Sequence, residues 1–317
     1  MKTNNKNLNS LSGKQPFKVI ETNDEWVLYH NEFSLCSRKV RICMSEVDIH
    51  YKSKHINIIE TGYAENLSKY FKKINPKVTV PVLLHNGYPI YESHEQIKYL
   101  NEHRNNKLII NDDENHWIKK ASLVGEPINN LDQYAGNCVS LLTPPLFISM
   151  LKNISIFKFF PYMFKHPIKF RAINFLLFKA LGYSSYRNST PLYRISLRAS
   201  RNLNQHMNDL DNQINNKEWV MGNDFSLADI SWAVILHRLE ELQLLDHILH
   251  TYSNIESYYE RLKKRKCFID GITKFQNKKV NDGVMELQKS IKNVKHLSFL
   301  YHEIKKNFTR RQKDLLQ

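Results

Sequence analysis

NPKVTVPVLLHNGYPIYESHEQIKYL, residues 75–100, reads as strand, tight turn, strand and helix, and it carries three devices for holding an extended, peptide-like ligand. Val80-Pro81 opens the first strand. Pro81 has no N–H to give to a ladder and is a candidate cis proline, where the preceding backbone turns aside and offers its polar groups to something else. Asn86-Gly87 is the two-residue turn of a hairpin between VPVLLH and YPIY. Glu92-Ser93 then stands where the second strand passes into an apolar-periodic helix beginning at His94, so a hydroxyl and first-turn N–H groups face an anion there. Alone, Glu92-Ser93 is an ordinary helix cap; behind Val80-Pro81 it becomes specific.

Working outward, strand WVLYH (26–30), the turn-helix NEFSLCSRKVRICMSEV, strand HYKSKHINII and helix AENLSKYFKKI precede this stretch, giving the order β-α-β-α-β-β-α. That order resembles the thioredoxin-like N-terminal domain of the glutathione transferases. FSLADISWAVILHRLEEL (225–242) and NIESYYERLKKRKCF (254–268) are similar to the helical domain of the same superfamily. Within it, the pattern resembles the tetrachlorohydroquinone reductive dehalogenases and the ganglioside-induced differentiation-associated proteins. The resemblance spans roughly residues 25–275 and implies an α/β domain followed by an all-α domain. The expected boundaries are a flexible arm (1–24), a thioredoxin-like glutathione-binding domain (25–104), a linker (105–113), a helical domain (114–275) and a basic helical tail (276–317). In the helical domain Ser226 with Asp229 forms a capping-box variant and Phe225 with Ile230 a hydrophobic staple, which makes Asp229 a folding residue.

Ser34-Leu35-Cys36-Ser37 follows the first strand at the start of a helix, where first-turn N–H groups and the dipole favour an anion. A thiol there loses its proton more readily. The S-x-C-S spacing resembles that of the reductive dehalogenases, whose nucleophilic cysteine matches Cys36, while the catalytic serine of the zeta-type transferases matches Ser34. Two mechanisms stay open. Either Ser34 hydrogen-bonds a glutathione thiolate that attacks an electrophilic carbon, or Cys36 takes glutathione from an adduct as a mixed disulfide that a second glutathione releases. A cysteine in a first turn is also a common packing residue. The resemblance further implies that the Val80 backbone pairs with the cysteinyl moiety of glutathione, that Glu92 meets its ammonium and that Ser93 meets its γ-glutamyl carboxylate. Arg38, Lys39, Lys52 and Lys54 are candidates for the glycyl carboxylate. Cys43, Cys138 and Cys267 have no site context and read as packing residues.

The chain has 317 residues, 42% of them apolar and 11% aromatic, enough for two domains with proper cores and too many for a disordered protein. Its start, MKTNNKNLNSLSGKQPFK, has no apolar core segment and is not a secretory signal. Four cysteines without a C-x-x-C support neither a disulfide framework nor a metal site, so a reducing, cytoplasmic compartment is expected. The net charge of +15 is uneven: residues 133–208 hold 10 basic and no acidic residues, and 275–317 hold 10 against 4. Phe147, Phe157, Phe159, Phe160, Tyr162, Phe164, Phe170, Phe175 and Phe178 are interleaved with the first of these segments, a composition suited to an anionic membrane surface; a solvated basic face around core phenylalanines is the bland alternative. Lys152, Asn153 and Lys158 argue against a span. The expected partners are glutathione, an electrophile that the sequence does not identify, a second copy of the chain and that membrane surface. Nucleic acid is not expected, since no recognisable module surrounds the charges. A glutathione S-transferase-like enzyme is the leading reading. A non-enzymatic, membrane-associated relative is the alternative.

Overall fold

The computed structural model describes residues 11–309 apart from 62, 106–107, 109–111, 153, 156 and 158–168. Its first half runs β1 (Gly13–Lys14), β2 (Trp26–His30), α1 (Leu35–Glu46), β3 (Lys52–His55), α2 (Lys69–Ile74), β4 (Val82–His85), β5 (Tyr88–Tyr91) and α3 (Ser93–His103). The sheet order is β1-β5-β4-β2-β3, with β2 and β3 parallel and the other pairs antiparallel. β2 is buried along its whole length because helices cover both faces. Its alternation sorts the side chains: Val27 and Tyr29 pack with Phe71 and Ile74 of α2, while Trp26 and Leu28 join the core that α1 and α3 share with the helical half. Asn86 and Gly87 turn the hairpin with φ of 53° and 83°. A Cβ on Gly87 would lie 2.3 Å from the Ile20 carbonyl oxygen, so the position demands glycine twice over.

The described part of the expected flexible arm does not behave as one. Gly13 and Lys14 pair with Tyr91 and Ile90 as a fifth, edge strand, and Lys77 Nζ donates to the Leu11 carbonyl at 2.7 Å. Residues 1–10 lie outside the described residues.

The second half comprises α4 (Asp112–Lys120), α5 (Ala135–Leu142), α6 (Pro144–Leu151), α7 (Lys169–Leu181), α8 (Pro191–Gln213), α9 (Leu227–Glu241), α10 (Leu245–Leu249), α11 (Ser253–Lys264), α12 (Lys266–Gly271), α13 (Lys278–Asn293) and α14 (Lys295–Lys306). α9 is buried nearly all round, as an apolar helix in the middle of a bundle must be. The expected cap is present: the Ser226 backbone N–H donates to Asp229 Oδ2 at 2.9 Å, and Asp229 Oδ1 also accepts from the Val220 N–H and the Tyr258 hydroxyl, both at 2.9 Å. The tail is helical and packs back on the bundle. Val280, Leu287, Leu297, Leu300, Tyr301 and Ile304 are buried, and a Cβ on Gly283 would meet Met150 Cγ at 2.5 Å. Val294, with φ −103° and ψ 108°, breaks the single helix that its periodicity suggests into two. The part of the expected helical tail beyond residue 309 lies outside the described residues. Among the described residues no helix is long and apolar enough to cross a membrane.

Two contacts fasten the halves together. α12 crosses α1 so closely that a Cβ on Gly271 would stand 2.6 Å from the Ile42 nitrogen, and Arg41 Nε donates to the Gly271 carbonyl at 2.8 Å. Nearby, Arg38 of α1 grips Glu241 at the end of α9 through two parallel hydrogen bonds of 2.9 and 2.7 Å, and Arg238 Nε lies 3.3 Å from the same carboxylate. All three side chains are buried. Removing one member of such a cluster leaves uncompensated charge in the interior, at a cost of about 3–5 kcal/mol. Glu241→Ala is therefore expected to lower unfolding stability by about that amount in urea titrations at neutral pH. The two arginines hold the Glu241 carboxyl at about 2 against burial, below its ordinary 4.5. Its contribution is thus complete above pH 4.5 and lost as pH falls toward 2, so parent and variant should converge over that window. Equal stabilities at pH 7 would contradict this account.

Candidate active site

The loop between β2 and α1 is built by its own side chains. Asn31 accepts from the Phe33 N–H at 2.9 Å through Oδ1 and donates to the Ile56 carbonyl at 3.0 Å through Nδ2. Ser34 then caps α1: its Oγ accepts from the Ser37 N–H at 3.2 Å and donates toward the Val80 carbonyl at 3.4 Å. The strand-helix junction and the Val80-Pro81 segment, 46 residues apart, therefore meet at one hydroxyl. The Val80–Pro81 peptide bond is cis, as the sequence suggested.

A cavity of about 360 Å³ opens between the two halves. Ser34, Cys36, Lys77 and Val80 stand on its polar wall, and Phe33, Phe147, Phe175 and Phe178 on its apolar one. The rings form a chain, with centroids 5.4 Å apart for Phe33 and Phe147, 6.1 Å for Phe147 and Phe175 and 6.4 Å for Phe175 and Phe178. Three phenylalanines of the acid-free stretch are thus cleft residues. Phe157 is exposed, and the other aromatic positions read as a lipid-facing set, or their side chains, lie outside the described residues. Arg238 also reaches the cavity; it donates to the Phe33 carbonyl, and its guanidinium lies 3.9 Å from the centre of the Phe33 ring.

The remaining expected residues sit one layer back. Pro81 is a backbone support whose carbonyl accepts from Gln96 Nε2 at 3.2 Å. Glu92 has φ 66° and ψ 121°, a conformation that costs a residue with a Cβ about 1–3 kcal/mol and that clusters at ligand sites. Its carboxylate faces Lys77 Nζ at 2.7 Å. Ser93 is the first residue of α3 and is buried, with its hydroxyl near enough to the Cys36 thiol to favour the thiolate. None of the four cations considered for the glycyl carboxylate lines the cavity: Arg38 serves Glu241, Lys39 donates to Ser122 Oγ at 3.0 Å, Lys52 pairs with Asp24 at 2.7 Å and Lys54 projects from exposed β3. Lys77 is the lysine that does line it. A lysine three residues before a Val-Pro strand opening was the signal that could have found it.

At the thiol, burial outweighs the helix terminus. Desolvation pushes the Cys36 thiol up, opposed by the Lys39 ammonium and the Ser93 hydrogen bond, so the expectation of easier proton loss is corrected. Burial drags Lys39 down to about 8, while Cys36 partly restores it. Cys36 is the only half-buried cysteine of the four; Cys43, Cys138 and Cys267 are buried in the core.

Known proteins share this two-domain fold. The family model described as glutathione S-transferase, N-terminal domain, matches residues 33–103, and that described as glutathione S-transferase, C-terminal domain, matches residues 194–278. The chain is 27% identical over 251 residues to tetrachloro-p-hydroquinone reductive dehalogenase of Sphingobium chlorophenolicum, covering 76% of this chain and 93% of that protein. Among solved structures it is similar to the beta-etherase LigF from Sphingobium sp. strain SYK-6, with a TM-score of 0.62 and 20% identity over 79% of this chain and 99% of that one. It is also similar to a glutathione transferase from Pseudomonas putida with one glutathione disulfide bound per subunit, with a TM-score of 0.55 and 14% identity over 80% of this chain and 92% of that one. With both domains matched in order around a shared cleft, the chain belongs to the glutathione S-transferase superfamily.

Cys36 should be the first cysteine modified by iodoacetamide, because it alone combines access with a neighbouring cation and hydroxyl. Lys39→Met removes the charge that offsets burial, so slower labelling is expected near neutral pH. Peptide mass mapping over a time course checks both. Labelling of Cys267 at the rate of Cys36 would reduce Cys36 to a packing residue.

Proposed function

We propose that this protein is a glutathione-dependent enzyme acting on an aromatic electrophile in the cleft between its two domains. The observation that carries the reading is one cavity with a hydroxyl and a thiol, Ser34 and Cys36, on one wall and a chain of phenylalanine rings on the other. In this reading residues 25–104 bind glutathione, 105–113 link the domains, and the helical domain to about residue 275 supplies the apolar wall. The four free thiols suit a reducing, cytoplasmic compartment. The glutathione disulfide bound in the Pseudomonas putida relative supports the choice of co-substrate.

The tripeptide would lie along Val80, its cysteinyl backbone pairing with the main chain ahead of Pro81. Glutathione's ammonium would displace Lys77 at Glu92, freeing that lysine for a carboxylate of the tripeptide, and Ser93 would meet the γ-glutamyl carboxylate. Ser34 Oγ, already aimed at the same strand, would turn its hydrogen to the glutathione sulfur and stabilise the thiolate. That sulfur attacks the electrophilic carbon, forming a C–S bond while the leaving group departs with its electron pair. A reductive outcome needs one more step, for which the name of the Sphingobium chlorophenolicum relative gives reason. The Cys36 thiolate attacks the adduct's sulfur, the carbon keeps the C–S electron pair and takes a proton, and a Cys36–glutathione disulfide forms. A second glutathione then releases glutathione disulfide and restores the Cys36 thiol. The carbon gains two electrons and the two sulfurs lose them.

Calorimetry with glutathione is expected to show Glu92→Ala and Ser93→Ala each losing about 1.5–3 kcal/mol, roughly ten- to over a hundredfold in affinity. With an aryl halide as second substrate, Ser34→Ala should slow glutathione consumption by a similar factor. Cys36→Ala should continue to consume glutathione but accumulate the glutathionyl adduct in place of the reduced arene. Unchanged affinity in both binding variants would refute the binding site, and an unchanged product distribution in Cys36→Ala would remove that residue from the chemistry.

A further inference from the structure

Glu25, His85 and His103 bring three potential ligand atoms to within 4.8 Å of one another, on a part of the sheet that glutathione chemistry does not use. They come from three separate elements: Glu25 directly before β2, His85 at the end of β4 and His103 at the end of α3. The site lies at the opposite end of β4 from Val80-Pro81, about 13 Å along the strand. We propose that these three residues bind a borderline divalent cation, zinc above all, through His85 Nε2, His103 Nε2 and the Glu25 carboxylate.

The geometry is already near that of a coordination shell. Glu25 Oε1 lies 3.5 Å from His85 Nε2 and 3.7 Å from His103 Nε2. Ligand atoms around a tetrahedral ion with bonds of about 2.0–2.1 Å stand about 3.3 Å apart, so a small inward movement completes the set and leaves a fourth position for water. Two imidazoles and one carboxylate suit zinc, nickel or copper better than calcium or magnesium, which prefer all-oxygen shells.

The surroundings support the ligand roles. His85 Nδ1 is 2.7 Å from the Tyr99 hydroxyl, and when Nδ1–H donates there, Nε2 is left as a lone pair facing Glu25. The Trp26 ring stacks on His85 at 4.1 Å with an interplanar angle of 3°, and His103 packs edge-on against Trp26 at 5.0 Å, so both imidazoles are oriented by the same indole. Lys14 Nζ sits behind Tyr99, 3.0 Å from its hydroxyl, and is the one cation facing this group from the edge strand. Glu25 and His103 are open to solvent, which gives the ion its path in.

The test uses the full-length, chelator-treated protein. Zinc is titrated by calorimetry, and nickel by its quenching of tryptophan emission, since Trp26 lies against a proposed ligand. One equivalent of zinc should bind, and Glu25→Gln and His103→Ala should each weaken it by about tenfold or more. Both altered side chains are on the surface, so the variants should fold and keep parental glutathione binding, which separates this site from the catalytic reading. Trp26→Phe should abolish most of the nickel quench yet retain zinc binding. No zinc binding at micromolar concentrations, or binding undiminished in both Glu25→Gln and His103→Ala, overturns the proposal.

Discussion

The buried carboxylate of Glu241 is the point on which the geometry of this molecule turns. It lies between Arg38, from the helix that presents Ser34 and Cys36, and Arg238, from the central helix of the other half. Arg238 continues to the Phe33 carbonyl, so one carboxylate fixes the first helix, the loop before it and the entrance of the apolar wall. His237 beside it is held neutral, at about 3, mainly by burial, so it adds no third cation. A buried ion cluster of this kind is a poor source of net stability compared with well-packed apolar groups. What it supplies is direction: a bidentate fork accepts one orientation of the two helices, whereas an apolar contact tolerates several.

Such a constraint explains which parts of the structure were legible in the sequence. The hairpin at Asn86-Gly87, the cis Val80–Pro81 bond and the Ser226–Asp229 cap are all decided within a few residues, and each was readable there. Arg238 and the clustering of Glu25, His85 and His103 depend on packing between segments tens to hundreds of residues apart. Nothing in their local spacing announces them. Arg38 and Lys39 show the same limit from the other side. Their nearness to the active-site turn suggested ligand contacts, but their positions on α1 point them into the domain interface, where each is buried.

The basic, aromatic stretch left two readings open for a related reason. Composition counts charges and rings without saying which way they face. Phe147, Phe175 and Phe178 turn inward to the cleft, while the cations between them tie surfaces together: Lys152 pairs with Glu286 of the tail at 2.6 Å, and Lys179 donates to the Leu151 carbonyl at 2.7 Å. The tail reaches the active-site end as well. Asn277 caps α13 and donates to Glu32 Oε1 at 2.6 Å, while Glu32 Oε2 meets His55 at 2.5 Å. Residues that look like a peripheral appendage therefore buttress the loop that leads into Ser34.

The thiol at Cys36 shows how such buttressing sets chemistry. A cysteine in an open helix first turn would be drawn toward the thiolate by the backbone N–H groups and the dipole. Here the surrounding core desolvates it, and that cost exceeds what Lys39 and Ser93 return. The same burial lowers Lys39 to about 8, so both side chains are pushed toward their neutral forms by an amount that depends on the water left around them. An empty, wet cleft and one filled by an aromatic ligand differ in that respect. Because Ser93 lies beside the sulfur and also begins the helix proposed to meet glutathione, a ligand carboxylate at that helix would act on the same hydroxyl that favours the thiolate. In the proposed function, occupancy of the neighbouring site would therefore bear on the reactivity of Cys36 through one side chain.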